Sequence, residues 1–194
     1  MLYLTVSTGI GGGAVINGDL HRGAAGNGGE YGHIMVQRGG RHCLCGRDGC
    51  LEAYASGTSI AERAREALAT GRPSSLSALE AVRAEDVSRA AAEGDALAAE
   101  LWTETCDLLA VAVTDLVNIF EPDLVVLGGG VTRSGSLLLD PVRDEVLRSA
   151  MPPAAHAARI GVAALGDAVC VIGAAALALD LLEQRSTVDE VLHA

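Results

Sequence analysis

Four side chains of the metal-binding kinds fall within eighteen positions: His33, Cys43, Cys45 and Cys50. They lie in the stretch EYGHIMVQRGGRHCLCGRDGCLE, from Glu30 to Glu52. A segment that brings them to one point must fold back on itself. Cys43 and Cys45 flank a single residue, and Gly46 and Gly49 let the chain turn so that Cys50 reaches the same place. Three thiolates and one imidazole make a closed tetrahedral set for zinc, the pattern of a structural site. The alternatives are a disulfide between two of the cysteines, or buried free thiols. Nothing suggests secretion, and outside secreted proteins such spacing more often binds metal. Glu30 and Glu52 bracket the set. Neither is needed to complete a Cys3His site, so both are free for another ligand, though alone each also reads as a solvated carboxylate.

The length of 194 residues suits one α/β domain, or one lobe of something larger. Apolar residues make up 49% but aromatics only 3%, so the core must be built from Ala, Val, Leu and Ile. The net charge of −11 argues against a nucleic-acid or anionic-membrane surface, since such partners need a basic face. It leaves room for a small anion held by backbone amides. No charged segment followed by an apolar one opens the chain, so no signal peptide is expected. The longest apolar run, Ala168 to Leu179, is broken by Gly173, stopped by Asp180 and short of the roughly 20 residues a membrane span needs. A cytoplasmic protein is the expectation. Cys106 and Cys170, in apolar helical surroundings, are expected to be inert core thiols.

Leu2 to Ser7 alternates and reads as a strand that opens almost without lead-in, as in a fragment of a longer protein. A bend through Thr8, Gly9 and Gly11 to Gly13 leads to a second strand over Ala14 to Ile16 and the turn Asn17-Gly18. Such a bend lets backbone N–H groups approach a phosphate, with Ser7 and Thr8 adding hydroxyls. It also reads as a plain glycine hairpin. It is neither a GxxxxGK[ST] loop nor a Rossmann turn, because a strand follows. Gly23 to Gly32 is a loop delivering Glu30 and His33, and Ile34 to Val36 a short strand. A helix carries Ile60, Ala64 and Leu68 up to Gly71, and Arg72 to Ser77 is a linker. Asp86 to Ala92 forms a short helix, and Asp95 caps the longest one, which ends near Phe120 before Pro122. Leu124 to Leu127 is a buried strand. Gly128, Gly129 and Gly130 follow at its carboxyl end, where open α/β sheets bind ligands, or form a flexible turn. Asp140 caps a helix with Pro141 in its first turn, ending before Pro152-Pro153. Arg159 to Ala164 is a strand, and a closing helix runs from Ala168 to about Gln184. This order is that of a ribonuclease-H-like half: a mixed sheet flanked by helices, with a small zinc loop.

The segments STGIGGG, GEYGH, CLCGRDGCLE, LGGGV and LGDAVCVIGAAALAL resemble, in order and over essentially all 194 residues, the ROK family of bacterial sugar kinases, repressors and open reading frames. ExGH followed by CxCGxxGCxE is specific; the glycine runs alone are not. The resemblance implies an actin-like ATPase fold and assigns residues 1–194 to its carboxyl-terminal lobe, with a zinc loop over 33–52 and the amino-terminal lobe absent from this chain. It implies that Glu30, His33 and Glu52 hold hydroxyls of a hexose or N-acetylhexosamine, with one His33 nitrogen on Zn2+ and the other toward the sugar. Cys43, Cys45 and Cys50 complete the structural zinc site. Thr8 and Gly9 lie at the phosphates of ATP, which brings Mg2+, and Gly128, Gly129 and Gly130 approach the adenosine. Kinases of the family carry, in the other lobe, a DxGGT-type loop and an Asn-Asp pair whose Asp is the base. Neither occurs here, so this chain supplies no catalytic residue and is expected to be inactive alone. The leading expectation is an ATP-dependent hexose kinase acting on the 6-hydroxyl; the alternative is the effector domain of a sugar-responsive repressor. A degenerate sugar-binding domain that truly starts at Met1 is a third. Large Ala/Leu helical faces permit a dimer, and a homo-oligomer is expected.

Overall fold

The computed structural model describes residues 1–192. They divide into two compact units, Met1–Val162 and a second that begins at Ala163. The first is built on a five-stranded sheet. β1 (Leu2–Val6) buries Leu2, Leu4 and Val6 and leaves Tyr3 and Thr5 half-buried, the period of two that its sequence alternation predicts. β2 (Ile10–Ile16) runs antiparallel to it, with Leu4 opposite Gly12. Asn17 and Gly18, both at positive φ, turn the chain into β3 (Asp19–Leu20), the two-residue hairpin that Asn-Gly favours.

The helices follow the metal loop. α1 (Glu52–Ala55) is a single turn, and α2 (Gly57–Ala69) is capped by Ser56, whose hydroxyl accepts the Ser59 N–H at 3.1 Å. The expected linker contains a 3-10 turn, Ser75–Ala78, and leads to α3 (Ala84–Ala92). α4 (Ala96–Phe120) starts at Asp95, whose carboxylate accepts the Ala98 N–H at 3.0 Å, and ends at Glu121 in the left-handed conformation, just before Pro122. Leu97, Leu101, Leu109, Val113 and Leu116 of α4 share one hydrophobic cluster with Leu4, Val125 and Leu127 of the sheet. Burying each such side chain contributes on the order of 2 kcal/mol.

β4 (Leu124–Gly128) enters the middle of the sheet parallel to β1, and β5 (Arg159–Val162) extends it parallel to β4, giving the order β3-β2-β1-β4-β5. The expected mixed α/β architecture is therefore present.

Four local expectations need correction. α5 (Ser136–Ser149) begins four residues before Asp140, so Asp140 is not its cap and Pro141 lies inside the helix. The carbonyl that Pro141 cannot satisfy is that of Leu137, four residues back. It accepts instead from the Trp102 indole N–H at 3.1 Å and the Cys106 thiol at 3.5 Å, both on α4. Pro152 does not only end a helix; it occupies the first turn of another, α6 (Pro152–Ala157), where a missing N–H costs nothing. Ile34 to Val36 is not a strand but carries one isolated bridge, Met35 to Cys50.

The second unit holds a 3-10 turn, Gly166–Ala168, and α7 (Val169–Leu192). Here lies the fourth correction: Cys106 is a buried thiol, pushed up to about 12 by burial, but Cys170 on α7 is exposed. Among the described residues no helix is long and apolar enough to cross a membrane.

Candidate metal centre and adjoining cavity

The metal loop is fastened at both ends. On the incoming side a 3-10 turn, Tyr31–His33, buries Tyr31 and Gly32. The Tyr31 ring meets Phe120 of α4 edge-on, 6.2 Å between centroids. Gly32 lies so close to the Ile10 carbonyl that a Cβ there would collide with it. Residues 31 and 32 thus anchor inward, while Glu30 stays exposed and His33 half-buried.

The loop folds back through backbone hydrogen bonds from Val36 and Gln37 to the Gly49 carbonyl, at 2.9 and 3.2 Å, and from Gly49 to that of Arg41, at 2.8 Å. Gly46 and Gly49 both take positive φ, as the sequence predicts, and a side chain at Gly49 would also strike the Gln37 carbonyl. Arg41 ties the loop to its neighbours. Its N–H donates to the Tyr54 hydroxyl at 2.6 Å, and its guanidinium forms a two-point pair with Glu66.

The ligand atoms of His33, Cys43, Cys45 and Cys50 all lie within 4.8 Å of one another. Cys43 Sγ is 3.7 Å from His33 Nδ1, and Cys45 Sγ is 3.6 Å from Cys50 Sγ. Zn–S bonds of about 2.3 Å at tetrahedral angles set sulfur atoms about 3.8 Å apart. The donor set therefore fits a zinc ion by both chemistry and spacing, and no disulfide joins these cysteines. Cys43 and Cys50 are buried and Cys45 exposed. Without a metal the backbone N–H and guanidinium of Arg47 hold the Cys45 thiol down at about 6, while burial pushes Cys50 up to about 12. A metal that binds here displaces the Cys50 proton. With Nδ1 turned to the cysteines, His33 Nε2 points the other way, 3.8 Å from Glu30 Oε2.

Glu52 stands at the start of α1 and belongs to a second group. Its Oε2 accepts the Ile10 N–H at 2.8 Å, and a Cβ at Gly9 would meet that oxygen at 2.7 Å. The carboxylate is thus seated on the bend Ser7-Thr8-Gly9. The same bend is tied to α2, because the Gly57 N–H donates to the Ser7 carbonyl at 2.6 Å. α1 is locked from behind by Arg63. Buried to 4% exposure, its guanidinium donates to the Tyr54 carbonyl and Thr105 hydroxyl at 2.9 Å each and pairs with Glu104.

Beside the bend opens a cavity of about 610 Å³ lined by Ser7, Thr8, Gly57, Thr58, Arg83 and Gly130, among others. Thr8 and Gly130 therefore share one space. Gly128 and Gly129 do not line it. Gly128 makes room for the Tyr3 ring and hydroxyl, and Gly129, at positive φ, lies against the Val6 carbonyl. Their lack of a side chain is explained by packing. The amino end of α2 is a contribution that sequence reasoning did not place. Ser56 is legible as a helix cap, but nothing local shows that this helix end faces the glycine bend. Arg47 and Arg41 gave no signal either, being surface arginines by composition.

A family model described as ROK family matches residues 1–181. A glucokinase of Halalkalibacterium halodurans is 39% identical over 179 residues, 89% of this chain and 54% of the relative. The xylose repressor of Caldicellulosiruptor bescii is 30% identical over 182 residues, 92% of this chain and 46% of the relative. Among solved structures, a ROK family glucokinase from Streptomyces griseus in complex with glucose and AMPPNP superposes with a TM-score of 0.75 at 33% identity, over 91% of this chain and 59% of that one. The chain spans about half the length of the curated relatives it matches.

Proposed function

The chain belongs to the ROK family, and from that premise we propose that it is the carboxyl-terminal lobe of an ATP-dependent hexose kinase. The observation that carries the proposal is the seat of Glu52 on the Gly9–Ile10 backbone. It places a carboxylate suited to sugar hydroxyls at the rim of a glycine bend suited to phosphate, the juxtaposition that phosphoryl transfer to a sugar needs. Glu30 and His33 Nε2 complete the polar set for a hexose or N-acetylhexosamine. Zinc, when bound, fixes the His33 tautomer and the fold of its loop and takes no other part. Thr8, Gly9 and the amino end of α2 would hold the phosphates of ATP and its Mg2+, and Gly130 would border the adenosine. No carboxylate in this chain is assigned as the base, so transfer requires a second lobe.

The likeness to a xylose repressor over the same residues supports a second reading, the effector domain of a sugar-responsive regulator. Both readings require sugar binding, and only the first requires nucleotide. Calorimetric titration of glucose, N-acetylglucosamine and AMPPNP into the zinc-loaded chain tests them. Binding of a sugar and of AMPPNP, without phosphorylation of the sugar from ATP, is the expected result. Sugar binding with no response to AMPPNP favours the regulator, and turnover by this chain alone overturns the assignment of the base to another lobe.

A further inference from the structure

The carboxylate assigned to sugar and the bend assigned to phosphate are held by two helices that meet at one residue. α1 carries Glu52, and α2 begins at Gly57. Between them Ser56 is extended, with φ −71° and ψ 153°, so the helical path breaks there. α1 has four residues, too few to keep a helical direction without outside contacts. Arg63 grips it at the Tyr54 carbonyl. Its first residue is gripped differently.

That grip is a buried pair of hydroxyls. Ser56 is 1% exposed and Ser59 8%. The Ser56 hydroxyl accepts the Ser59 N–H at 3.1 Å and donates to Ser59 Oγ at 2.9 Å. Ser59 Oγ donates in turn to the Glu52 carbonyl at 2.7 Å, where the Ser56 N–H reaches only 3.3 Å. Each hydroxyl spends its one proton in the same direction, from the cap of α2 back to the first residue of α1. An ordinary cap ends within its own helix; this one crosses the break.

The bend over residues 7–10 is held by the same two helices. The Ser7 carbonyl accepts the Gly57 N–H of α2 at 2.6 Å, and the Ile10 N–H donates to the Glu52 carboxylate of α1 at 2.8 Å. A change in the angle between α1 and α2 therefore either lifts Glu52 from Ile10 or stretches the bend.

We propose that Ser59 is a positioning residue: by fixing the angle between α1 and α2 it sets Glu52 against the phosphate bend, so that sugar and nucleotide bind cooperatively. The proposal rests on the kinase reading and adds to it the link between the two ligands. The relay is made of hydroxyls alone, so it needs no change in charge to act.

The test is calorimetric titration of the better-bound of glucose and N-acetylglucosamine, with and without saturating AMPPNP. The samples are zinc-loaded wild type, Ser59→Ala and Ser59→Thr. In wild type AMPPNP should tighten the sugar by about five- to tenfold, the lower range of coupling between sites. In Ser59→Ala that factor should fall to about one, with AMPPNP alone bound as in wild type. Ser59→Thr keeps the hydroxyl and should restore the factor. Should Ser59→Ala fail to fold, Ser59→Cys, a weaker donor of similar size, takes its place and should lose part of the factor. Equal factors in wild type and Ser59→Ala overturn the proposal, as does a wild type that binds the two ligands independently. A Ser59→Ala chain that melts lower and binds both ligands more weakly, with the factor intact, marks a purely structural role and overturns it too. A wild type that binds no AMPPNP, or neither ligand, rejects the kinase reading itself, and this proposal falls with it.

Discussion

Replacing one carboxylate oxygen of Glu52 separates its two neighbours, the metal loop and the glycine bend. Glu52→Gln keeps the side-chain shape but gives up the charge that strengthens bonds to hydroxyls. Hexose affinity of the zinc-loaded chain should fall by about ten- to hundredfold, the equivalent of one charged hydrogen bond. Zinc content should be unchanged, since Glu52 is no ligand; calorimetry and metal analysis on the same sample check both. Cys45→Ala should do the reverse, losing zinc first and sugar as a consequence. The ligands were legible residue by residue because a metal imposes residue type and spacing together. The contact between Glu52 and Ile10 was not legible, because it joins positions 42 apart through a backbone N–H that any residue could supply. Gly128 and Gly129 show the converse: the glycine run was visible, but its cause, the approach of Tyr3 and Val6, lies on another strand.

Helix ends and interruptions decide the next scale. Asp95 accepts from the Ala98 and Ser75 N–H groups and from the hydroxyls of Ser74 and Ser75, joining α4 to the 3-10 turn before it. Partial burial works to raise its carboxyl, but these donors outweigh it and hold the group at about 2. A carboxyl lower in the folded than in the unfolded state stabilises above its unfolded value of about 4, and that contribution fades as pH falls toward 2. Asp95→Ala should therefore cost about 1 kcal/mol at pH 7 and less at pH 3, read from urea denaturation. The Leu137 carbonyl offers a cycle on α5. Trp102→Phe should cost about 1–2 kcal/mol by removing the shorter of its two donors. Pro141→Ala restores a helical donor, so the double variant should lose less than the sum of the singles. Additive losses would show that the indole bond does not replace the missing helical one. The early start of α5 could not be read locally, because the donors that replace the one Pro141 lacks, Trp102 and Cys106, lie on another helix. Asp95 could, because its chief partner is three residues away.

The whole first unit holds two separate apolar groups, the large core around the sheet and a small cluster of Cys43, Cys50, Ala53 and Tyr54 beneath the metal loop. Stripping zinc with a strong chelator should therefore open the loop and spare the sheet. Trypsin should then cut at Arg38, Arg41 and Arg47 while the far-UV circular dichroism of the helices persists; collapse of both together would show one core where two are described. The sheet order was recoverable in class but not in detail, since pattern gives strands and only the registers of β1 with β2 and β4 give their neighbours. At one end of that order stands β5, and there Arg143 of α5 places Nε and Nη2 on the Ile160 carbonyl, at 3.0 and 2.8 Å. An incoming strand needs an unbroken row of acceptors, and this row has a side chain already seated in it. Pairing of another strand along β5 is thereby discouraged.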